Sequence, residues 1–187
     1  MSVIPALVSP LTDGDLTVRA YAERDIPEIL IAFQDDPTLH TRVGLERPPS
    51  GAQLGSQSET ADAERIAGER VRLTIAESET DICRGRMTVS HFDFDHGRAE
   101  LGIWLAPEGR GRGWAARAMR LAADWLFDAC GIERLELLAE PDNEPILRAA
   151  AAAGFVREGV LRGYVRYRGD RLDMVVFSLL PEDVSAE

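Results

Sequence analysis

A glycine- and arginine-rich loop, residues 107–113 (PEGRGRG), joins the two most strongly patterned segments of this 187-residue chain. Before it, residues 99–106 (AELGIWLA) alternate in the manner of a half-buried strand. After it, residues 113–129 carry apolar side chains, Trp114 among them, at helical spacing, and charged residues lie on the other side. Gly131 is expected to end this helix. A strand that leads into such an amphipathic helix predicts a domain with helices packed on a sheet.

The other segments extend this pattern to strand, helices, antiparallel strands, helix, strand, helix and two final strands. Further strands are expected at residues 15–21, 71–76, 85–92, 133–139, 155–161 and 171–180. Further helices are expected after Asp25, which we predict to be a helix cap, and over residues 58–70 and 145–153. Residues 37–55 are rich in Pro, Gly and Ser and predict a long loop. Turn residues at 93–97 predict a hairpin between the strands on either side.

No repeat, linker or low-complexity tract divides the chain. We therefore expect a single domain over residues 1–187, with its core at about residues 15–180. The predicted fold class is α+β, with a central, mostly antiparallel sheet flanked by helices.

Charge and composition narrow the classes of partner. A net charge of −11 argues against a nucleic-acid partner. No run approaches the roughly 18 apolar residues of a membrane span, so no membrane partner is expected. Cys83 and Cys130 form no metal or redox motif, and His40, His91 and His96 lack metal-ligand spacing, so no metal is expected. These features predict a cytoplasmic protein without disulfides, and they leave a homodimer open.

The loop lies where a helix can bind an anion, because the first N–H groups of a helix have no internal partners and carry about half a positive charge. Gly111 and Gly113 allow the backbone to approach a ligand closely and to adopt positive φ. Arg110 and Arg112 offer charge-assisted hydrogen bonds suited to phosphate. The sequence predicts a pyrophosphate ligand, with a simple tight turn as the alternative.

One phosphate-binding pattern in the loop is that of a dinucleotide-binding turn. Gly111-x-Gly113-x-x-Ala116 satisfies its Gly-x-Gly-x-x-Gly/Ala form, and Glu136 or Glu140 lies at a plausible distance downstream. However, this pattern comes late, leaves too little chain for a second nucleotide half and lies within strands expected to be antiparallel. It is therefore weak evidence for a dinucleotide site.

A second pattern, Arg110-x-x-Gly113-x-Ala115, resembles the Arg/Gln-x-x-Gly-x-Gly/Ala signature of the GNAT superfamily of N-acetyltransferases. The Gly-Phe…Glu-Gly motif at residues 154–159 resembles the RimJ/RimL-like subgroup of that family. Other segments resemble family elements in the family's order, namely residues 99–105, 113–129, 131–137, 140–143 and 173–178. The resemblance thus runs from about Leu16 to Leu180 and implies a GNAT acyl-CoA N-acyltransferase fold.

The resemblance also implies acetyl-CoA as cosubstrate. The backbone around Ile103 and Leu105 would hydrogen-bond its pantetheine arm, and Gly102 is compatible with a bulge that separates this strand from the next. Asn143 would bind the cosubstrate or brace the strands. The pyrophosphate would be bound by Arg110, Gly111, Arg112, Gly113, Trp114 and Ala115.

Several GNAT enzymes use a glutamate at the position of Glu100 as general base, and a solvated strand carboxylate is the alternative here. Two family residues are missing. Ala150 replaces a tyrosine that protonates the leaving thiolate in many relatives, and Ile146 replaces a serine of the subgroup. Tyr164 and Tyr167 are candidate acids, although packing or acceptor binding is the favoured interpretation for both.

The resulting hypothesis is an acetyl-CoA-dependent N-acetyltransferase that transfers an acetyl group directly to a primary amine. The acceptor could be a protein N-terminal α-amine, an amino acid or a small amine. Two alternatives remain, a catalytically silent acyl-CoA-binding or sensing module and, with less support, a dinucleotide-binding oxidoreductase.

Overall fold

The computed structural model describes residues 3–184. Its strands are β1 (Leu11–Asp13), β2 (Leu16–Ala20), β3 (Arg70–Glu77), β4 (Cys83–Asp93), β5 (Arg98–Leu105), β6 (Arg134–Ala139), β7 (Val156–Tyr167) and β8 (Asp170–Leu179). Its helices are α1 (Ile26–Asp35), α2 (Leu39–Arg42), α3 (Gly51–Ile66), α4 (Trp114–Cys130), α5 (Glu144–Ala152) and α6 (Pro181–Val184). The strands form one sheet in the order β1-β2-β3-β4-β5-β6-β8-β7. Every neighbouring pair in it is antiparallel except β5 and β6, so the predicted α+β fold is confirmed.

One face of the sheet packs against α4 and α5 and forms the main apolar core. Alternate residues of the central strands point into this core, including Val71, Leu73, Ile75, Met87, Val89, Ala99 and Leu101. From α4, Trp114, Met119 and Leu126 are fully buried against them. Gly131 ends α4 with a φ of 65°, as the sequence predicted.

The opposite face lies under α1 and α3 and is more polar. A smaller apolar cluster includes Phe33 and Trp104, whose rings meet edge to face at 5.4 Å. Asp25 lies at the predicted N-cap position of α1, but its side chain makes no capping hydrogen bond, because its buried carboxylate accepts hydrogen bonds from Arg19 and Thr74 instead. This face therefore buries charge where the α4 face buries only apolar groups.

Residues 37–55 are not the continuous loop that their composition predicted. They contain α2 and the start of α3, which begins seven residues before the predicted helix at Ser58. Ser50 caps α3, since its hydroxyl accepts from the N–H of Gln53 while Gln53 Oε1 accepts from the N–H of Ser50. This Ser-x-x-Gln capping box was readable in the sequence. The pair β7 and β8 also extends further than predicted, to a turn at Arg168 and Gly169.

Strands β5 and β6 pair over only three residues and then separate. Their register runs from Arg98 opposite Arg134 to Glu100 opposite Glu136. Gly102, which was compatible with a bulge, forms none, since it pairs regularly with Thr88 of β4. The irregularity lies in β4 instead, where the register shifts between Ser90 and Asp93. The separation of β5 and β6 opens the sheet just beyond Glu100.

Two further findings concern the described residues 3–184. Cys83 and Cys130 are buried and unpaired, and burial raises the pKa of both thiols to about 11. None of the helices in this part of the chain has the length and apolar character needed to cross a bilayer.

Candidate active site

The separation of β5 and β6 opens into a cleft of about 990 Å³ on the sheet face under α1 and α3. We call this space the cleft, and its sheet wall includes Arg86, Thr88, Glu100, Gly102 and Glu136. The β7–β8 hairpin closes one end, where Tyr167 donates a hydrogen bond of 3.0 Å to the Leu45 carbonyl. The cleft is large enough for a substrate with several functional groups.

A smaller cavity of about 160 Å³ adjoins the start of α4. It brings together a set of residues that the sequence predicted to bind the cosubstrate, namely Ile103, Leu105, Arg110, Ala115 and Asn143. Asn143 lines both spaces, as do Ile103 and Ile146. The predicted residues thus connect the loop before α4 to the cleft through one continuous surface.

The loop before α4 has the backbone conformation expected of an anion site. Gly111 and Gly113 have φ values of 74° and 72°, in the left-handed region that favours glycine. The first hydrogen bond of α4 runs from the N–H of Arg117 to the carbonyl of Gly113. Within the described part of the chain, the N–H groups of Trp114 and Ala115 have no backbone acceptor, as expected in a first helical turn. These donors are free to meet an anion.

The side chain of Trp114 cannot take part in that site. It is fully buried under the sheet, and its indole N–H donates to Asp15 at 3.1 Å. The prediction that Trp114 binds the cosubstrate therefore concerns its backbone N–H and not its side chain.

Both arginines of the loop are already engaged by acidic residues. Arg110 donates to Asp36 at 2.6 Å and to the Leu105 carbonyl at 3.0 Å. Arg112 lies 3.5 Å from a Glu77 oxygen and stacks over the Trp114 ring at 4.6 Å. The sequence predicted a basic loop in an acidic protein, and the structure surrounds that loop with compensating carboxylates. Arg110 and Arg112 remain partly exposed, so an anion can still reach both guanidinium groups.

Glu100 lies in the cleft wall at the last position where β5 pairs with β6. Burial raises the pKa of its carboxyl above the usual range, and the nearby charge of Glu136 raises it further. His91 opposes this shift, since its Nδ1 lies 3.4 Å from Glu100 Oε2. A carboxyl with a raised pKa is better matched to accepting a proton near neutral pH than an ordinary surface glutamate.

The sequence missed two residues of the cleft. His91 is an exposed histidine, and its φ of 54° at the β4 irregularity places its ring beside Glu100. Arg86 lies in a predicted strand without any motif, yet it is 8% exposed and lines the cleft. Strand alternation could have placed Arg86 on the same face as Glu100, whereas nothing in the sequence marks His91.

Ala150 and Ile146 occupy the positions of the two missing family residues. Ala150 is fully buried in α5, and Ile146 lines both the cleft and the smaller cavity. Tyr164 is 54% exposed, and both Tyr164 and Tyr167 line the cleft. No grouping of three or more His, Cys, Asp or Glu suited to a metal ion occurs within residues 3–184.

Comparison with known proteins identifies the family. A model of the acetyltransferase (GNAT) domain matches residues 15–156. The chain therefore belongs to the GNAT family of N-acetyltransferases, which confirms the resemblance of its motifs.

Individual relatives agree over nearly the whole chain. The uncharacterized N-acetyltransferase YoaA of Bacillus subtilis is 30% identical over 91% of this chain and 97% of its own length. A ribosomal-protein-S5-alanine acetyltransferase from Vibrio fischeri has the same fold, with a TM-score of 0.79 at 21% identity over 94% of this chain and 98% of that one. A spermidine N-acetyltransferase from Vibrio cholerae, in complex with CoA and spermine, gives a TM-score of 0.77 at 21% identity over 92% and 99%.

Proposed function

We propose that this chain transfers the acetyl group of acetyl-CoA directly to a primary amine bound in the cleft. The observation that carries the proposal is the separation of β5 and β6 immediately beyond Glu100, beside the smaller cavity that adjoins the start of α4. Acetyl-CoA would supply an activated acetyl group as a thioester. The fit rests on the smaller cavity, which connects the N–H groups at the start of α4 to the cleft that holds Glu100.

The residues that would bind acetyl-CoA fall into groups according to the part of the cosubstrate that each would contact. The N–H groups of Gly113, Trp114 and Ala115 offer donors to the pyrophosphate, with Gly111 allowing its close approach. The backbone of Ile103 and Leu105 lies beside the smaller cavity and would hold the pantetheine arm. Arg110 fixes the end of β5 through the Leu105 carbonyl, so its role includes the shape of the site as well as its charge.

Glu100 would accept the proton that the amine loses, directly or through a water molecule. At pH 7, deprotonating an α-amine with a pKa near 7.8 costs about 1 kcal/mol, whereas a lysine near 10.4 costs about 4.6 kcal/mol. A carboxylate with a moderately raised pKa is sufficient for the first case. The lower cost of deprotonation favours an α-amine or another amine of low pKa as the acceptor.

The thiolate that leaves has no tyrosine donor at the usual position, because that position is the buried Ala150. Tyr167 already donates its hydroxyl hydrogen to the Leu45 carbonyl. We therefore propose that transfer relies on positioning of the two substrates, with water as the final proton donor.

The pyrophosphate assignment is tested by comparing a charged and a neutral side chain at the position of Gly113. A Cβ at this position meets no atom within 4 Å, and both Asn and Asp tolerate a positive φ better than other residues. Gly113→Asp places a carboxylate at the anion site, whereas Gly113→Asn is nearly isosteric and neutral. Calorimetry should show at least about a 100-fold weaker binding of acetyl-CoA for Gly113→Asp and a much smaller loss for Gly113→Asn. Equal affinities for the two variants would refute the assignment.

A catalytically silent acyl-CoA-binding module remains the second candidate, supported by Ala150 and Ile146 at the two family positions. Release of free thiol from acetyl-CoA in the presence of an amine panel separates the two functions. A silent module would bind acetyl-CoA and raise its melting temperature without releasing CoA.

A further inference from the structure

Arg86 is a buried cation in the sheet wall of the cleft. Its side chain is only 8% exposed, and its guanidinium lies over the Tyr21 ring at 4.5 Å. Nη1 and Nη2 both donate to one neutral oxygen, Oε1 of Gln57, at 3.2 Å. Nε is buried and has no hydrogen-bond partner among the described residues. The guanidinium therefore has unused donors and only weak, neutral partners.

The other buried cations of this sheet face have carboxylate partners of their own. Arg19 pairs with Asp25 at 2.7 Å and with Asp81 at 2.6 Å. Arg72 forms a two-point ion pair with Glu64. In the part of the chain that the structure describes, no carboxylate lies within ion-pair distance of Arg86. Burial lowers the pKa of Arg86, as expected for a charge that the fold itself does not neutralise.

A buried charge without a counterion is costly, so buried charges in proteins are normally paired. Arg86 is inside the cleft, where a substrate group could provide the missing partner. The guanidinium fork is suited to a carboxylate, which it can bind through two parallel hydrogen bonds. The aromatic ring of Tyr21 and the amide of Gln57 hold the fork in place without consuming its charge.

Arg86 and Glu100 lie at different positions along the sheet wall of the cleft. Arg86 lies on β4 opposite Trp104, whereas Glu100 is four residues away along β5 and faces Glu136 on β6. At about 3.3 Å per residue, these positions are about 13 Å apart along the strand. Exposed arginines also line the cleft beside Glu100. The buried guanidinium of Arg86 suits an anion, and the Glu100 carboxyl suits the amine that is to be acetylated.

We propose that the acceptor of this enzyme carries a carboxylate, several bonds away from its reactive amine, and that Arg86 binds that carboxylate. This inference rests on the proposed acetyl transfer and adds a substrate class to it. A short peptide with an acidic side chain near its N-terminus has the required separation of groups. A polyamine does not fit, because its second cationic group would face the guanidinium of Arg86.

The test compares matched acceptors that differ only in charge, the dipeptide amides Ala-Glu-amide and Ala-Gln-amide, with Ala-Lys-amide as the cationic case. Thiol release should give a kcat/KM at least about 10-fold higher for the Glu peptide than for the Gln peptide. Arg86→Gln should reduce that ratio to about 1, mainly by raising KM for the Glu peptide. Arg86→Lys should retain part of the preference, since it keeps the charge and loses the fork. Arg70→Gln removes an exposed cation that also lines the cleft, level with Glu100, and should leave the ratio above about 5.

The outcomes distinguish this inference from the proposed function. Equal kcat/KM for the Glu and Gln peptides with wild-type protein would overturn the role of Arg86 while leaving acetyl transfer intact. If no peptide is acetylated although acetyl-CoA binds, the transfer proposal fails, and melting temperatures with CoA and each peptide then decide the inference. A larger stabilisation by the Glu peptide that is lost in Arg86→Gln supports it, and equal stabilisation by the two peptides overturns it. If Arg86→Gln does not fold, Arg86→Lys still tests the inference, because a Glu-to-Gln ratio equal to that of wild type in this variant would overturn the role of the guanidinium fork.

Discussion

The two faces of the central sheet differ in what they bury. The face under α4 is covered by a continuous apolar core in which Trp114, Leu101 and Met119 are almost completely inaccessible. The face under α1 and α3 holds paired ions, the unpaired guanidinium of Arg86 and the half-buried carboxyl of Glu100. Apolar burial stabilises a fold, while burial of charge costs free energy unless the charge is matched. The α4 face therefore stabilises the fold, and the buried charges of the cleft face offset part of that stabilisation.

Strand β5 shows this difference between neighbouring residues. Leu101 points into the core and is 1% exposed, whereas Glu100 points into the cleft with a raised pKa. A single strand thus contributes to both functions through side-chain alternation. Substitutions on the two faces should consequently separate stability from activity.

The largest effect on stability is expected from Trp114→Ala. Removing this fully buried ring should lower the free energy of unfolding by about 3–5 kcal/mol, through lost burial and the cavity that remains. Trp104→Ala, on the cleft face, should cost less than half as much because Trp104 is only half-buried. Urea unfolding followed by circular dichroism measures both values. Equal losses for the two tryptophans would contradict the proposed division between the faces.

The next effect concerns activity rather than stability. Glu100→Gln should lower kcat/KM by about 100-fold or more, as expected for loss of a general base. Stability should not fall at neutral pH. A carboxyl whose folded-state pKa is raised contributes stability below its unfolded pKa and loses that contribution as the pH rises through the folded pKa. The stability of the wild-type protein should therefore decline as the pH rises above about 4.3, and Glu100→Gln should remove this decline.

Glu136→Gln is the matched control, because it removes the neighbouring charge that raises the pKa of Glu100. The acidic limb of the pH–rate profile should move to lower pH in this variant. A profile for Glu100→Gln with the same limbs as wild type would remove Glu100 from the role of base.

The sequence was sufficient for the elements whose pattern is local. Strand β5, helix α4 and the end of α4 at Gly131 followed from alternation, helical spacing and a left-handed glycine. The backbone conformation of Gly111 and Gly113 agreed with the predicted loop. Composition misled the prediction at residues 37–55, because Pro, Gly and Ser also occur around short helices and in capping boxes.

The charges of the cleft depend on contacts between distant segments and were not predictable in the same way. Arg86 is buried under helices from distant parts of the chain, and its partner Gln57 of α3 is 29 residues away in the chain. The carboxylates that engage Arg110 and Arg112 come from Asp36 and Glu77, which no motif connects to the loop. Sequence pattern gives the face on which a residue lies, and only packing determines its partners.

The smallest effect is expected from Tyr167→Phe. This substitution distinguishes two roles of the Tyr167 hydroxyl, as an anchor of the hairpin or as a general acid. Tyr167→Phe removes the hydrogen bond to the Leu45 carbonyl, so the free energy of unfolding should fall by about 1 kcal/mol. If the hydroxyl only anchors the β7–β8 hairpin over the cleft, KM for the amine should rise about 2- to 5-fold with kcat nearly unchanged. A general acid would instead lose about 100-fold in kcat. Because the hydroxyl hydrogen is already donated to a carbonyl, we expect the first result, and Tyr164→Phe at the exposed neighbour should change neither constant by more than about 2-fold.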